Sequence, residues 1–147
     1  MAHARELNNP LPEKPLFFMK HENSIVRGNK PFYYPDFSTD IHHELELVLK
    51  ISKVGKNIEK KFADRYYDEI GLGIDFTARD LQTEARKNGA PWEIAKAFDN
   101  SAPLSDFLPV SDFKDINSIA FQLDINGKRV QEGDAGLMIF PIEVQIA

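Results

Sequence analysis

The sequence predicts an α+β fold with more strand than helix. Three observations carry this. Residues 42–51 alternate with period two, an apolar alternation runs into Asn126-Gly127, and two segments, 56–69 and 77–88, are spaced for helices. Period two belongs to strands and a period near 3.6 to helices.

Residues 8–15 hold Pro10, Pro12 and Pro15, which favour an extended loop. Leu16-Phe17-Phe18-Met19 is a short apolar run of the kind found in a buried strand. Residues 29–40 carry Pro31 and Pro35 among aromatics and predict irregular edge structure. In the strand 42–51, His43, Leu45, Leu47, Leu49 and Ile51 fall on one face. His42, Glu44, Glu46, Val48 and Lys50 fall on the other.

Ile58, Phe62, Tyr66 and Ile70 recur every four residues, so 56–69 predicts a helix. The apolar run 70–74 predicts a buried strand. Thr77 can cap a second helix, with Asp80 at the third helical position in a variant of the capping box. Gly89 and Pro91 stop that helix near Asn88. Phe121, Leu123 and Ile125 lead into Asn126-Gly127, which favours a type I′ hairpin turn.

A chain of 147 residues can build one domain with a real core. Its hydrophobic fraction of 42% and charged fraction of 28% belong to a soluble globular protein. The net charge of −5, with no cluster of Lys or Arg, argues against a nucleic-acid partner. Cysteine is absent, which excludes disulfides, thiolate metal sites and cysteine nucleophiles. No apolar run approaches the roughly 20 residues that span a bilayer. Residues 1–9 are too polar for a signal peptide, so a cytoplasmic protein is expected, without a membrane partner.

Glu44 and Glu46, two apart on a strand, project from one face. Two like charges so close need compensation. A divalent cation would supply it, and so would a Lys, an Arg or solvent. Asp75 follows an apolar run at a strand-to-helix junction, where sites commonly form. With no thiolate and no His-x-x-x-His pattern, a metal held here would be hard and oxygen-seeking.

Four segments resemble the fumarylacetoacetate hydrolase family. His42-His43-Glu44-Leu45-Glu46-Leu47 is similar to its Glu-x-Glu strand. Residues 74–82, Ile-Asp-Phe-Thr-Ala-Arg-Asp-Leu-Gln, are similar to its Asp-x-(Ser/Thr)-Ala-Arg-Asp-x-Gln segment. Residues 91–99, from Pro91-Trp92 to Lys96-Ala97-Phe98-Asp99, resemble its Trp…Lys-x-Phe-Asp stretch. Asn126-Gly127 to Met138-Ile139-Phe140 resembles its Asn-Gly…Met-Ile-Phe hairpin. The acylpyruvase and oxaloacetate decarboxylase-like members resemble the chain most. The resemblance covers nearly the whole chain and implies one catalytic domain over 1–147, a mixed β-sandwich or roll with a few short helices.

The resemblance implies that Glu44, Glu46 and Asp75 hold Mg²⁺ or Mn²⁺, with Ca²⁺ as an alternative. It implies that Arg79 and Gln82 orient the carboxylate and 2-oxo group of a small 2-oxo acid, and that Lys96 stabilises an enolate. His3 and Glu6 resemble the His-x-x-Glu of a lid in segment 1–15 that activates water. Arg86 and Trp92 are expected at the surface and in packing. His42 is the better placed histidine for a contact behind the carboxylates. His21 stands where the family often has proline.

Both ends look short beside the family. An upstream strand and the strands after Met-Ile-Phe are expected to be missing. The function implied is metal-dependent hydrolysis of acylpyruvate-type 2,4-dioxo acids at a carbon–carbon bond. Alternatives are an oxaloacetate decarboxylase, a 2-oxo acid isomerase or hydratase at the same site, and an inactive metal-binding pseudo-enzyme. A homodimer is implied by the family alone.

Overall fold

The computed structural model describes residues 12–147. They form seven strands, three α-helices and several 3-10 turns. The strands are β1 (Ile25–Val26), β2 (Ile41–Ile51), β3 (Tyr67–Ala78), β4 (Ala102–Pro103), β5 (Leu108–Pro109), β6 (Ala120–Ile125) and β7 (Lys128–Asp134). The helices are α1 (Arg79–Asn88), α2 (Glu93–Lys96) and α3 (Ile142–Ile146). The α+β class with strand in excess holds. Among the described residues no helix is long and apolar enough to cross a membrane.

The chain divides into two compact units, and β2 and β3 each supply residues to both. One unit comprises Phe17–Glu46 and Gly71–Asp106. In it β1 pairs parallel with β4. Backbone bonds tie β3 to the segment after α2: Phe76 N donates to Ser101 O at 2.9 Å and Ser105 N to Leu72 O at 2.9 Å. Arg79 N donates to Asp40 O at 2.8 Å, which docks the start of α1 beside the start of β2. α1 ends on Gly89, whose φ of +63° supplies the left-handed residue that closes a helix and whose N–H turns back to the carbonyls of Ala85 and Arg86. Ala78, Ala85 and Ala95 are its buried small residues, with Val26 and Leu45.

The other unit holds Leu47–Ile70 and Phe107–Ala147 among the described residues. β3 pairs antiparallel with β5 there, Glu69 facing Pro109 and Ile70 facing Leu108. β6 and β7 form the hairpin expected around Asn126-Gly127. Both turn residues have positive φ, +52° and +78°, as a type I′ turn requires.

Three expected elements differ. In place of the helix over 56–69 stands a 3-10 turn, Lys60–Tyr66; Asn57 at a φ of +54° and an extended Glu59 keep any helix from starting before it. Tyr67 onward is already strand. The strand expected over 70–74 is therefore the middle of the twelve-residue β3. The buried strand expected at 16–19 does not form: Leu16, Phe17 and Met19 are 69%, 70% and 78% exposed. That segment is held instead by single side chains, Phe18 against the Trp92 ring and Lys20 on Asp75 and Ser101.

Candidate active site

The site is built on the first part of β2, the last part of β3, and the two helices that follow, all within one unit. Alternation puts Glu44 and Glu46 on one face of β2, as the sequence predicts. Asp75 emerges from β3, and is 4% exposed. One carboxylate oxygen from each of the three lies within 4.8 Å of the others.

Charge surrounds these carboxylates. Lys96, at the end of α2 and 2% exposed, places Nζ 2.8 Å from Glu44 Oε2 and 2.5 Å from Asp75 Oδ2. It also donates to Thr77 Oγ1 at 2.6 Å. Arg79, first residue of α1, pairs with Glu44 Oε1 and donates to Gln82 Oε1, so the guanidinium, Gln82 and Glu44 form one cluster. Three apart on a helix, Arg79 and Gln82 share a face as expected.

Burial alone would raise the Glu44 pKa. Hydrogen bonds and charge from Lys96, then Arg79, outweigh it and hold Glu44 below the usual carboxylate range. Among the described residues Glu46 has no such hydrogen-bonded partner, and Lys96 and Lys20 act on it through charge alone. As a residue it remains exposed, yet its carboxyl group is set among enough protein to lose solvation. That desolvation, with the negative charges of Asp75 and Glu44, pushes it up to about 7. A group so disfavoured as an anion is stabilised by any cation that reaches it.

Lys20 approaches Asp75 from the other side, Nζ to Oδ1 being 2.9 Å. The contact is an ion pair, and Lys20 is the one cation that reaches this buried oxygen among the described residues. Each of the three acids offers a carboxylate oxygen to one small volume, and a set of oxygen donors alone is what a hard divalent cation takes. Glu44, Glu46 and Asp75 can therefore hold such an ion.

The sequence missed two residues. Lys20 carried no motif of its own. Its Nζ donates to Ser101 Oγ at 2.9 Å, to Ser101 O at 3.2 Å and to Phe76 O at 3.3 Å, and it also bonds Lys96 O. Burial lowers its pKa, against the opposing pull of Asp75. Thr77 was expected to cap α1. It is instead the penultimate residue of β3, fully buried, with its hydroxyl on Lys96. Ala78 stands at the cap, and Asp80 binds outward to Ser38 Oγ at 2.7 Å. His42 faces away from the expected contact: its Nε2 is 3.0 Å from Asp40 Oδ1 at the surface. Trp92 packs against Phe18, the packing role expected of it. His3 and Glu6 lie outside the described residues.

The pattern of the fumarylacetoacetate (FAA) hydrolase C-terminal family matches residues 1–147. The chain belongs to this family. It is 42% identical over 140 residues to the oxaloacetate tautomerase fahd-1 of Caenorhabditis elegans, covering 95% of this chain and 65% of that protein. It is 38% identical over 141 residues to the oxaloacetate decarboxylase of Dictyostelium discoideum, at 95% and 65% coverage. Both relatives are named as mitochondrial. Among solved structures, the fumarylpyruvate hydrolase of Pseudomonas aeruginosa, in complex with Mn²⁺ and pyruvate, superposes with a TM-score of 0.91 at 35% identity. That match covers 99% of this chain and 64% of the other. This member of the family thus spans about 65% of the length of the curated relatives it matches. These relatives are named as enzymes of small oxo acids, and the structural neighbour carries a divalent metal, as the three carboxylates here are suited to do.

Proposed function

We propose that this family member is a divalent-cation-dependent enzyme that interconverts the keto and enol forms of oxaloacetate. The observation that carries the reading is Lys96 Nζ held among Glu44, Asp75 and Thr77, beside the cluster of three carboxylates. Enol chemistry next to a carbonyl needs positive charge where the oxygen turns negative. Lys96 would supply it as a buried ammonium beside the three carboxylates.

Glu44, Glu46 and Asp75 would hold Mg²⁺ or Mn²⁺, which when bound polarises the 2-oxo group as a Lewis acid. Arg79 offers a planar fork for the substrate carboxylate, and Gln82 steadies that fork. Lys96 holds the charge of the enolate oxygen. His3 with Glu6 would move the proton at the neighbouring carbon. The oxaloacetate tautomerase and oxaloacetate decarboxylase among its relatives support oxaloacetate as the substrate.

The second reading is the hydrolytic one. The same residues would hold an acylpyruvate while His3 and Glu6 activate water, and the product enolate would rest on Lys96. The fumarylpyruvate hydrolase that shares this fold favours it.

The test uses the purified chain with Mn²⁺ or Mg²⁺. Enol-oxaloacetate is followed by its ultraviolet absorbance, pyruvate release by a coupled assay, and acetylpyruvate by its own absorbance. Faster enol decay without pyruvate release supports tautomerisation. Pyruvate from oxaloacetate turns the reading to decarboxylation, and acetylpyruvate cleavage to hydrolysis. His3→Ala should abolish hydrolysis while leaving decarboxylation intact. A folded protein that binds metal and accelerates none of the three would be a pseudo-enzyme, and the proposal would fail.

A further inference from the structure

Lys96 has three ammonium protons and three acceptors: Glu44 Oε2 at 2.8 Å, Asp75 Oδ2 at 2.5 Å and Thr77 Oγ1 at 2.6 Å. Two of these acceptors belong to the carboxylate cluster that can take a cation. Thr77 is the neutral one. Its side chain is fully buried, with 0% exposure, so bulk solvent does not reach its oxygen.

The hydroxyl is also polarised in a fixed sense. Thr77 Oγ1 has the carbonyl oxygen of Asp75 at 3.4 Å as the acceptor for its proton. Its lone pairs are thereby left to Lys96. A β-branched side chain on a strand has few rotamers to lose in holding this geometry.

We propose that Thr77 is a positioning residue for Lys96: its hydroxyl fixes the ammonium in place independently of the two carboxylates. The inference deepens the proposed enol chemistry and rests on it for its kinetic consequence. A divalent cation competes with Lys96 for Glu44 and Asp75 and repels its charge. The carboxylates alone then hold the ammonium less firmly. The threonine contact carries no charge, does not compete for the cation, and keeps the ammonium at the enolate oxygen. Without it, the lysine loses part of its preorganisation, which is where electrostatic catalysis resides.

The experiment compares the full chain with Thr77→Val, which keeps shape and branching, and Thr77→Ser, which keeps the hydroxyl. The first readout is the ¹H–¹⁵N signal of the Lys96 ammonium, recorded with Mn²⁺ replaced by diamagnetic Mg²⁺ and assigned by its loss in Lys96→Arg. Such signals survive only where the three protons are held against exchange. The signal should be present in the wild type and in Thr77→Ser, and lost in Thr77→Val. The second readout is kinetic. Thr77→Val should lower kcat about tenfold or more with KM little changed, the mark of an interaction used in the transition state, and Thr77→Ser should restore it.

A wild-type protein without the ammonium signal overturns the inference even if no variant folds. A signal that persists in Thr77→Val, or that vanishes in Thr77→Ser, overturns it as well. Absence of turnover in a wild type whose ammonium signal is present counts against the proposed reaction instead, and the spectroscopic comparison still decides the role of Thr77.

Discussion

Lys20 Nζ stands 2.9 Å from Asp75 Oδ1, inside a cage whose other walls are the oxygens of Phe76, Lys96 and Ser101. One largely shielded cation, 16% exposed, thus touches a candidate metal ligand, the end of α2 that carries Lys96, and Ser101 after it. Removing one partner of a buried pair leaves the other charged and unpaired, which is the costly case. Lys20→Met keeps the stem and deletes the charge. It should destabilise chelator-treated protein by about 3 kcal/mol. Saturating Mn²⁺ should recover part of that loss by neutralising Asp75. Urea denaturation of both proteins, with and without Mn²⁺, measures this. An equal loss in the two conditions would show that Lys20 only packs.

The raised pKa of Glu46 predicts a pH dependence of definite sign. Its ordinary value is 4.5 and its folded value about 7. Between these, the folded protein keeps a proton that the unfolded chain releases. Chelator-treated protein should therefore lose stability as pH rises through this window. A bound cation displaces the same proton. Mn²⁺ affinity should rise by up to about tenfold per unit as pH approaches 7, then level off. Calorimetric titrations from pH 5 to 8 would show it, and in Glu46→Gln the slope should flatten. A slope unchanged in that variant would assign the proton elsewhere.

The legibility of this molecule in its sequence follows contact range. The strand β2 and the hairpin around Asn126-Gly127 rest on local alternation and one turn, so their residues declare them. The facing of Glu44 and Glu46 follows from the same alternation. Asp75 joins them only through the pairing of β2 with β3, which spacing does not contain and motif resemblance supplies. The role of Thr77 was hidden because a threonine before a helix has a local explanation as a cap. The distant one, an ammonium nineteen residues on, wins in the fold. Lys20 was hidden for a further reason: its partners are mostly backbone oxygens, which carry no residue signature. The exposed run at 16–19 shows the reverse error, where apolar composition alone says nothing about what covers it.

The hairpin offers a test apart from the site. Gly127 has a φ of +78° with nothing within 4 Å of the position a Cβ would take. Gly127→Ala therefore meets no clash and pays only for the left-handed backbone, about 1 kcal/mol. Thermal denaturation should show that loss, and Mn²⁺ affinity should not change. A loss well beyond this would mean that the β6–β7 register depends on the turn.

Asp75 decides whether the three carboxylates act as one centre. Asp75→Asn preserves the size of the side chain and removes its charge. The new amide would face two ammonium groups, Lys20 and Lys96, with only one oxygen to offer them. A divalent cation would lose its most buried ligand, so Mn²⁺ affinity should fall at least about 100-fold, more than the usual cost of disturbing a group behind the ligands. Asp40→Asn is the matched control, because Asp40 pairs with His42 at the surface and its loss should leave Mn²⁺ binding as it was. Isothermal titration of both variants, each checked for folding by circular dichroism, gives the comparison. If Asp75→Asn binds Mn²⁺ as tightly as the wild type, the ion is held elsewhere, and Arg79 and Lys96 are structural partners of Glu44 rather than parts of a reaction site.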